Sequence, residues 1–429
     1  MKKYSSYKDS GVEWIGETPS QWTNARLRFL CDITTGGKDT VNAVDDGKYP
    51  FFVRSKKIKR INSFSFDGEG ILTAGDGDIC KIWHHIIGKF DFHQRVYLLY
   101  NFKNVIGKFL YYYLTENFIH EVLKLSAKST VDSLRLPMFL DFPLAIPPLS
   151  EQQKIVEFLD SKTSNIDRLL EQKKNKIEFL KEKRTSLINH VVTKGLNPDV
   201  QMKDSGVDWI GEIPEHWEMK PIRYLGIFQN GISKGSEFFG KGYPFMNYGD
   251  VYKNEVTPSI IEGKVQSDEL DRQRYSVVRG DVFFTRTSES KDDIGIASTC
   301  IETIPNCSFS GFVIRFRFNA NFHLPEYSRY HFQTHWKKVL IESKMNIVTR
   351  ASLSQQVLGQ VPVLIPATLE QQEIVKYLDK QSKEIDNLIQ LEQKKIDLLK
   401  EYRQSLISEV VTGKVRVCEE DLSVANQIA

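Results

Sequence analysis

The sequence predicts an α+β protein: two α/β domains separated by two long helices that pack as an antiparallel coiled coil, with an internal pseudo-twofold repeat. Three observations predict this class. A short motif occurs twice, a helical block occurs twice, and two dissimilar segments with mixed strand and helix patterns lie between them. The chain of 429 residues is too long for one ordinary core, which agrees with several domains.

The repeat is the strongest signal in the sequence. The motif at residues 8–22, called the tag, returns at residues 203–217 with 11 of 15 positions identical. The block at residues 151–193 returns at residues 370–412 with 22 of 43 positions identical. Each copy therefore consists of a tag, a variable region and a helical block.

The helical blocks carry apolar residues at alternating steps of three and four, which is the pattern of a coiled-coil seam. The segment Ser150-Glu151-Gln152-Gln153, which follows two prolines, predicts a capping box and a helix start. The polar residues 160–165 predict a break in that helix. An antiparallel helix pair and four-helix packing within one core both agree with the pattern. The predicted helix–helix interface consists of Ile166, Leu170, Ile177, Leu180, Leu187, Val191, Ile385, Ile389, Ile396, Leu399, Leu406 and Val410.

Two further features of the helical blocks indicate what they contact. Lys173 and Glu392 occupy equivalent seam positions, where polar contacts in an antiparallel pair can fix the register. Additional apolar positions widen the stripe enough for a second surface. They are Leu169, Phe179 and Ile188 in the first block and Leu388, Leu398 and Ile407 in the second.

The variable regions each combine strand and helix patterns. Strands are predicted in KYPFFVRS, GILTAGDGDICKIW, QRVYLLY, GDVFFTRT and SGFVIRFRF, and helices over residues 106–125 and 326–343. The predicted division of the chain is a tag at 1–22, a first variable domain at 23–142, a first helical block at 143–195, a linker and second tag at 196–217, a second variable domain at 218–361, a second helical block at 362–414 and a tail at 415–429.

Several classes of protein are disfavoured by composition. Five scattered cysteines without a CxxC pair argue against a disulfide framework and a zinc finger. The sequence has neither an apolar run of 18 residues nor an apolar start, so we expect a cytoplasmic protein without a membrane partner. The net charge of +3 says little about nucleic acid, because a basic face can lie within a balanced total.

The sequence lacks the catalytic motifs of the enzymes that act on DNA. The sequence lacks the Asn/Asp-Pro-Pro-aromatic loop of an adenine methyltransferase, and the glycine-rich residues 235–242 lack the Ser or Thr of a phosphate loop. His331 and His335 stand four residues apart without an evident third ligand. The group Cys80, His84, His85 and His93 is likewise not predicted to bind metal. The sequence therefore predicts neither an enzyme nor a metal site.

The variable regions carry a small basic excess, 17 Lys and Arg against 13 Asp and Glu in the first and 18 against 15 in the second. Five of the seven residues 54–60 are cationic, which predicts phosphate contacts or, alternatively, an edge strand protected by lysine. If the variable regions bind DNA, base-reading residues are expected in loops, at 34–40, 84–85, 231–238, 247–248 and 286–291. The candidate DNA-binding residues are Lys38, Arg54, Lys56, Lys57, Lys59, Arg60, His84, His85, Ser233, Lys234, Asn247, Tyr248, Arg286 and Lys291.

These motifs together resemble the specificity subunit of Type I restriction–modification systems. The resemblance rests on the tag pattern GxxWxGxxPxxW, on the segments PPLSEQQKIVEFLD and VPVLIPATLEQQEIVKYLD, and on the two long helices, in the same order over nearly the whole chain. Within the variable regions, GILTAGDG followed by GKFDFHQRVYLL, and GISKG followed by GYPFMNYGDVY and GDVFFTRT, resemble target-recognition domains of that family.

The resemblance implies a function. Each variable region would be a target-recognition domain that reads one half of a split, asymmetric double-stranded DNA target, and the helices would hold the two domains apart in inverted orientation. Two adenine-methyltransferase subunits would dock on the helices and carry S-adenosylmethionine, and motor-nuclease subunits would be further partners. The chain itself would bind no cofactor. The alternative is a helical scaffold protein that does not bind DNA, which would leave two divergent basic regions unexplained.

Overall fold

The computed structural model describes residues 2–126, 133–288, 293–334 and 351–421. The chain divides into two compact units. The first unit comprises Met1–Asn175 and Gln393–Ala429, and the second comprises Lys176–Glu392. Each unit therefore contains one tag, one variable region and segments of both long helices.

The first unit is built around a curled, mainly antiparallel sheet. Its strands are β1 (Tyr7–Asp9), β2 (Glu17–Pro19), β3 (Thr23–Arg26), β4 (Asp32–Thr35), β5 (Tyr49–Phe52), β6 (Lys59–Ile61), β7 (Phe66–Ala74), β8 (Trp83–Phe92), β9 (Val96–Tyr100) and β10 (Pro143–Ile146). Six of these strands form one sheet in the order β4-β9-β7-β8-β5-β6, in which β5 and β8 are parallel. The short helices are Gly107–Asn117, Ile119–Ser126 and Leu136–Leu140.

The curl of this sheet follows from its register. Phe90 pairs with Phe66 near one end of β7, whereas Val96 pairs with Ala74 at the other end and on the opposite side of β7. Eight residues of strand span about 26 Å, but the six residues from Phe90 to Val96 reach at most about 21 Å. The sheet must therefore bend until its ends approach, and buried side chains such as Leu98 fill the interior.

The second unit has a related arrangement, in which a four-stranded and a three-stranded sheet take the place of the single six-stranded sheet. Its strands are β11 (Met202–Asp204), β12 (Glu212–Pro214), β13 (Glu218–Pro221), β14 (Gly226–Asn230), β15 (Phe239–Met246), β16 (Lys264–Val265), β17 (Val282–Thr285), β18 (Thr287–Ser288), β19 (Ala297–Thr299), β20 (Ser308–Phe309), β21 (Val313–Phe318), β22 (Ala351–Ser352) and β23 (Pro362–Ile365). The short helices are Tyr248–Tyr252, Glu269–Arg274, Pro325–His331 and Gln355–Leu358. β15 runs parallel to β20, and β21 lies between β14 and β17, as β9 lies between β4 and β7.

Each of the five segments predicted as strands overlaps one, namely β5, β7, β9, β17 and β21. In the segment GILTAGDGDICKIW, however, the strand ends at Ala74 and the next strand begins only at Trp83. The helix predicted over residues 106–125 is two helices that meet at Phe118, whose buried ring stacks on Phe139 at 4.6 Å. The helix predicted over residues 326–343 is observed as Pro325–His331, and residues 335–350 lie outside the described part.

Two long, continuous helices follow the variable regions. The first, Leu149–Lys194, has 46 residues and the second, Thr368–Val411, has 44. The break predicted at residues 160–165 is wrong. Asp160 accepts hydrogen bonds from the Tyr112 hydroxyl at 2.6 Å and from Lys108 Nζ at 2.8 Å, so this polar stretch packs against a helix that supplies polar partners. Among the described residues, neither these helices nor any shorter one could span a lipid bilayer.

The two long helices pair antiparallel within each unit. In the second unit Lys176 is paired with Glu392 at 2.9 Å and Arg184 with Asp386 at 3.4 Å, so residue numbers rise along one helix as they fall along the other. In the first unit the equivalent pair is Arg403 with Asp167, whose polar atoms are 3.6 Å apart. At the polar seam position 392, the buried Glu392 carboxylate pairs with Lys176, whose side chain is 51% exposed. The predicted interface residues Ile166, Leu170, Ile177, Leu180, Leu187, Val191, Ile385, Ile389, Ile396, Leu399, Leu406 and Val410 are all buried or half-buried.

A buried glutamine joins each variable region to the start of a long helix. Gln152 Oε1 accepts a hydrogen bond from the Ile106 amide at 2.8 Å, and its Nε2 donates to the Pro147 carbonyl at 2.9 Å. Gln371 makes the same set of bonds in the second unit. The first helix starts at Leu149, next to the predicted start, so Ser150, the predicted cap residue, lies inside the helix and not at its N-cap. Gln152 serves this joint.

Each tag forms a β-hairpin that closes over the end of a long helix. Trp22 and Trp217 anchor the two tags and are 1% exposed. Gly413 follows the second long helix with a φ of 77°, and a Cβ there would lie 2.4 Å from the Pro19 side chain. Gly195 follows the first long helix with a φ of 76° beside the Trp217 ring. Glycine is required at both ends for a left-handed helix terminus against a packed hairpin.

Candidate nucleic-acid interface

Loops of the first unit meet at one end of the curled sheet. We call this set, Lys38, Arg54, Asp76, Gln94 and Arg95, the first rim. Asp76 accepts hydrogen bonds from Arg54 and Arg95, each at 2.8 Å. Burial raises the pKa of Asp76, but the hydrogen bonds from the two arginines outweigh it and hold that pKa below its ordinary value. The carboxylate thereby orients two guanidinium groups whose side chains remain 42% and 61% exposed.

The predicted candidate Lys38 belongs to this rim through its backbone. Its carbonyl accepts from the Gln94 amide at 2.8 Å, and the Gln94 side chain donates to Asp39 at 3.0 Å. Sequence reasoning missed Asp76, Gln94 and Arg95. They were missed because all three lie inside segments predicted as strands, QRVYLLY and GILTAGDGDICKIW.

The basic cluster at residues 54–60 is divided in the structure. Lys56 and Lys57 are exposed in the turn between β5 and β6. Lys59 is half-buried, and Arg60 donates from Nε and Nη2 to the carbonyls of Gly47 and Lys48 at 2.8 and 3.0 Å. Because β6 is also an edge strand of its sheet, the position of the lysines fits phosphate contact and edge protection equally well. Arg60 has a structural role.

The loop predicted at residues 84–85 is wrong, because both histidines lie in β8. The His84 ring packs on Phe52 at 5.0 Å, and burial lowers its pKa. His85 Nε2 lies 2.8 Å from the Glu69 carboxylate. Alternation along the long strand places both rings against neighbouring strands and helices, and their role in DNA binding stays a prediction.

The second unit has an equivalent set, the second rim, comprising Ser233, Arg286 and Phe312. Ile232 bridges residue 310 in parallel, as Lys38 bridges residue 93 in the first unit. Ser233 is exposed, and half-buried Arg286 donates to the Gly311 carbonyl at 3.3 Å. Phe312 is 59% exposed at this rim. Sequence reasoning missed it because it lies inside SGFVIRFRF, which was predicted as a strand.

The other candidates of the second unit have structural partners. Lys234 forms an ion pair with Asp271 at 2.5 Å. Asn247 is exposed and caps the helix that starts at Tyr248. The Tyr248 hydroxyl donates to a backbone carbonyl at 3.3 Å. Lys291 lies outside the described residues.

Metal-ligating side chains do not gather in the part of the chain that the structure describes, where no group of three or more His, Cys, Asp or Glu could hold an ion. His331 is buried against His323, with ring centroids 5.2 Å apart. Burial lowers the pKa of His323 to about 4 and that of His331 well below its ordinary value, so both rings are neutral. His335 lies outside the described residues.

Of the six additional apolar positions predicted to form a second surface on the long helices, four have exposed side chains. Ile188 and Ile407 are 2% and 1% exposed, because each packs into the core of its own unit. The four exposed positions, with their exposed fractions, are Leu169 (41%), Phe179 (63%), Leu388 (44%) and Leu398 (54%).

Known proteins of similar sequence are specificity subunits. The sequence is 25% identical over 444 residues to the putative type I restriction enzyme MjaX specificity subunit of Methanocaldococcus jannaschii, and this match covers 94% of this chain and 96% of that protein. It is 32% identical over 152 residues to the type I restriction enzyme EcoDI specificity subunit of Escherichia coli. That match covers 35% of this chain and 33% of the EcoDI protein.

The fold is also shared with a solved structure. A chain from a study of complex assembly and conformational transition of the type I R-M system superimposes with a TM-score of 0.68 at 14% identity, covering 93% of this chain and 99% of that chain. This likeness concerns the fold alone. The family described as Type I restriction modification DNA specificity domain matches residues 19–179 and 214–401, which make up most of the sequence. The chain therefore belongs to the family of Type I restriction–modification DNA specificity subunits.

Proposed function

We propose that this chain recognises a split, asymmetric double-stranded DNA target, with one half read by each variable region. The observation that carries the proposal is that the two rims share one backbone arrangement but present different side chains. A palindromic target would need two equal reading surfaces. Two different surfaces on one frame suit a target with two different halves, and family membership supports DNA as the ligand.

The chain acts in this proposal without a catalytic centre and without a cofactor of its own. Its sequence lacks the Asn/Asp-Pro-Pro-aromatic loop with which adenine methyltransferases hold a flipped base. An adenine-methyltransferase subunit would therefore carry S-adenosylmethionine and catalyse the methyl transfer, while this chain determines which DNA sequence is methylated. Motor-nuclease subunits belong to the same proposed assembly.

The exposed apolar positions of the long helices are the proposed docking surfaces for the methyltransferase subunits. Leu169 and Leu398 lie in the first unit, and Phe179 and Leu388 lie in the second. The positions are equivalent in the repeat, since residues 169 and 179 correspond to 388 and 398. Two equivalent apolar surfaces on a charged helix pair suit two copies of one partner, because exposed apolar positions gain most from burial.

The proposal is tested by mapping methylated adenine across a genome in cells that express the chain together with an adenine-methyltransferase subunit. We expect methylation at one split, asymmetric sequence, and no methyl transfer from S-adenosylmethionine to DNA by the purified chain alone. Methyl transfer by the chain alone would show that it is an enzyme. If the chain does not bind random duplex DNA at low salt, the scaffold alternative replaces the proposal.

Docking is tested by native mass spectrometry of the assembled complex. The pairs Leu169→Ser with Leu398→Ser, and Phe179→Ser with Leu388→Ser, should each remove one of the two methyltransferase copies. Leu270→Ser is the matched control, because Leu270 is 76% exposed in the second unit but lies outside the long helices. Full occupancy in both pair variants would remove these surfaces from the proposal.

The long helices also set the spacing between the two halves of the target in this proposal. Four residues inserted into one helix add about 6 Å and slightly more than one turn. Since DNA rises ~3.4 Å per base pair, the gap in the mapped target should lengthen by one or two base pairs, with both half-sites unchanged. An unchanged gap would show that the helices do not act as the spacer.

A further inference from the structure

One tight turn is held by the same backbone bonds in both units. We call it the rim turn; it comprises residues 93–95 between β8 and β9, and residues 310–312 between β20 and β21. His93 N donates to the Phe52 carbonyl at 2.9 Å, and Ser310 N donates to the Met246 carbonyl at 3.0 Å. The middle amides, at positions 94 and 311, donate to the carbonyls of positions 38 and 232 at 2.8 and 2.9 Å. The turn thus leaves the same strand pair in the same direction in each unit.

The last residue of the turn is fixed from two sides. Its carbonyl accepts from the end of the neighbouring strand, from Gly75 N to Arg95 O at 2.8 Å and from Arg286 N to Phe312 O at 3.0 Å. Its amide donates to the side chain of the turn's own first residue, which is His93 Nδ1 at 3.0 Å in the first unit and the serine hydroxyl at position 310, at 3.3 Å, in the second. Every amide of the turn is therefore occupied inside the protein, so the hydrogen-bond donors that the turn can offer a ligand are on its side chains.

The side chains on this common frame differ in kind. The first unit presents Gln94, which is exposed, and Arg95, whose side chain is 61% exposed. Asp76 holds the Arg95 guanidinium through Nη1, which fixes its direction. The second unit presents Gly311 and Phe312, with Phe312 59% exposed. A rigid frame that carries a planar polar group in one copy and an apolar ring in the other has the properties of a variable reading element.

We propose that the rim turn is the specificity-determining turn of both recognition domains, with Gln94 and Arg95 reading base edges in one half-site and Phe312 contacting bases in the other. This inference rests on the proposed function. Arginine pairs in bidentate fashion with guanine, glutamine with adenine, and an apolar ring contacts the thymine methyl group. The first half-site should therefore contain a guanine or adenine at the position read by this turn, and the second an A·T pair.

The test uses the full chain assembled with its methyltransferase partner, and maps the methylated adenines produced by single variants. Arg95→Ala should reduce discrimination at one position of one half-site by about 10- to 100-fold. Arg95→Lys should relax the same position, because it keeps the charge but loses the planar fork. Phe312→Ala should relax one position of the other half-site and leave the first half-site unchanged. Phe29→Ala is the matched control, since Phe29 is 68% exposed but lies outside the rim turn.

The outcomes separate this inference from the proposed function. If the wild-type complex methylates no split sequence, the proposed function fails. If the wild type methylates a split sequence but the Arg95 and Phe312 variants leave both half-sites unchanged, the inference about the turn fails while the function stands. A Phe312→Ala variant that keeps its half-site but loses the methyltransferase subunit in gel filtration would make Phe312 a protein contact and overturn its assignment as a base reader.

Discussion

The helix joint and the rim turn occur in both units, but they are built differently. At the joint, the side chains of Gln152 and Gln371 themselves bridge backbone groups of the variable region and the helix start. At the rim turn, backbone amides and carbonyls make equivalent bonds, and the outward residues Arg95 and Phe312 have nothing in common. The glutamine is present in both copies of the joint, whereas the outward residue of the rim turn differs between its two copies.

This difference indicates which positions of the fold can change their side chain without loss of the fold. A joint made by a side chain depends on that residue, because replacing it leaves buried backbone groups without partners. A turn made by the backbone tolerates almost any outward side chain, because its hydrogen bonds do not involve that side chain. A repeated protein that must present two different surfaces can therefore diverge at the rim without losing the fold.

The largest loss of stability is expected from substitutions at the joint. Gln152→Leu should lower the free energy of unfolding by about 3–5 kcal/mol, since it leaves buried backbone groups unpaired at about 1–3 kcal/mol each. Gln371→Leu should destabilise the second unit by a similar amount. Chemical denaturation, with hydrogen exchange to report on each unit, measures both effects.

The neighbouring residues provide the control for the joint. Gln153 and Gln372 are exposed, so Gln153→Leu and Gln372→Leu should change stability by no more than about 0.5 kcal/mol. Arg95→Ala and Phe312→Ala should also be close to neutral for folding. A joint variant as stable as these would mean that the glutamine amide does not hold the joint.

The same distinction explains what the sequence could predict. The long helices, their seam and five of the strands follow from periodicity, and the repeat drew attention to the segment that contains Gln152 and Gln371. The role of those glutamines was not predicted, because their partners at residues 106 and 324 are distant in sequence. The residues of the rim turn carried no repeat signal, since the frame lies in the backbone. The break expected at 160–165 failed because tertiary hydrogen bonds to Asp160 replaced the missing apolar contacts.

The units should also differ in acid stability, because one position beside the joint is not equivalent. Gln152 binds the carbonyl of residue 104 and the amide of residue 106, which flank buried Val105. Gln371 binds the groups on either side of residue 323, which is histidine. Burial lowers the pKa of His323 to about 4, below the ordinary value of 6.5 that the unfolded chain retains. On acidification the unfolded chain therefore takes up the proton first.

The resulting expectation is a second unit that is fully stable above pH 6.5 and loses stability as the pH falls toward about 4. The loss should approach 1.4 kcal/mol per pH unit for the proton of His323, about 3 kcal/mol, and buried His331, whose pKa is also lowered, adds to it. His323→Val, which copies Val105, should be less stable at neutral pH because the Leu364 carbonyl loses its partner at 2.7 Å. Its stability should nevertheless depend less on pH. An unchanged pH slope in this variant would show that another group controls the acid response.

The salt dependence of DNA binding can show whether the exposed lysines of the first variable region contact phosphates. Lys56→Ala with Lys57→Ala should weaken binding to all DNA sequences and lower the salt slope by about 0.9 for each lost phosphate contact. Arg60 is left intact because it holds two backbone carbonyls. Lys174→Ala with Lys183→Ala, at two exposed lysines of the first long helix, is the charge-matched control. An unaltered slope favours edge protection, and a changed sequence preference at equal affinity makes the lysines base readers.

The smallest expected difference concerns two arginines at equivalent positions of the long helices. Arg184 lies 3.4 Å from Asp386 and also forms two hydrogen bonds, at 2.8 and 2.9 Å, with Glu255 of its variable region. These bonds raise the pKa of Arg184. Arg403 makes the corresponding 3.6 Å pair with Asp167, and it lines a cavity of about 430 Å³ together with Glu116 of its own variable region.

The two arginines should therefore contribute unequally to stability. Arg184→Ala removes a half-buried bidentate pair and should cost about 1–2 kcal/mol, whereas Arg403→Ala removes one loose ion pair and should cost about 0.5 kcal/mol or less. Glu255→Ala should add almost nothing to Arg184→Ala, because the shared interaction is already lost, and a double-mutant cycle in denaturant measures this coupling. Equal losses for the two arginines would mean that the pairing of the helices alone determines their contribution. An unequal loss that disappears in the Glu255→Ala background would instead locate the difference in the variable region, which is where the rim turn also differs.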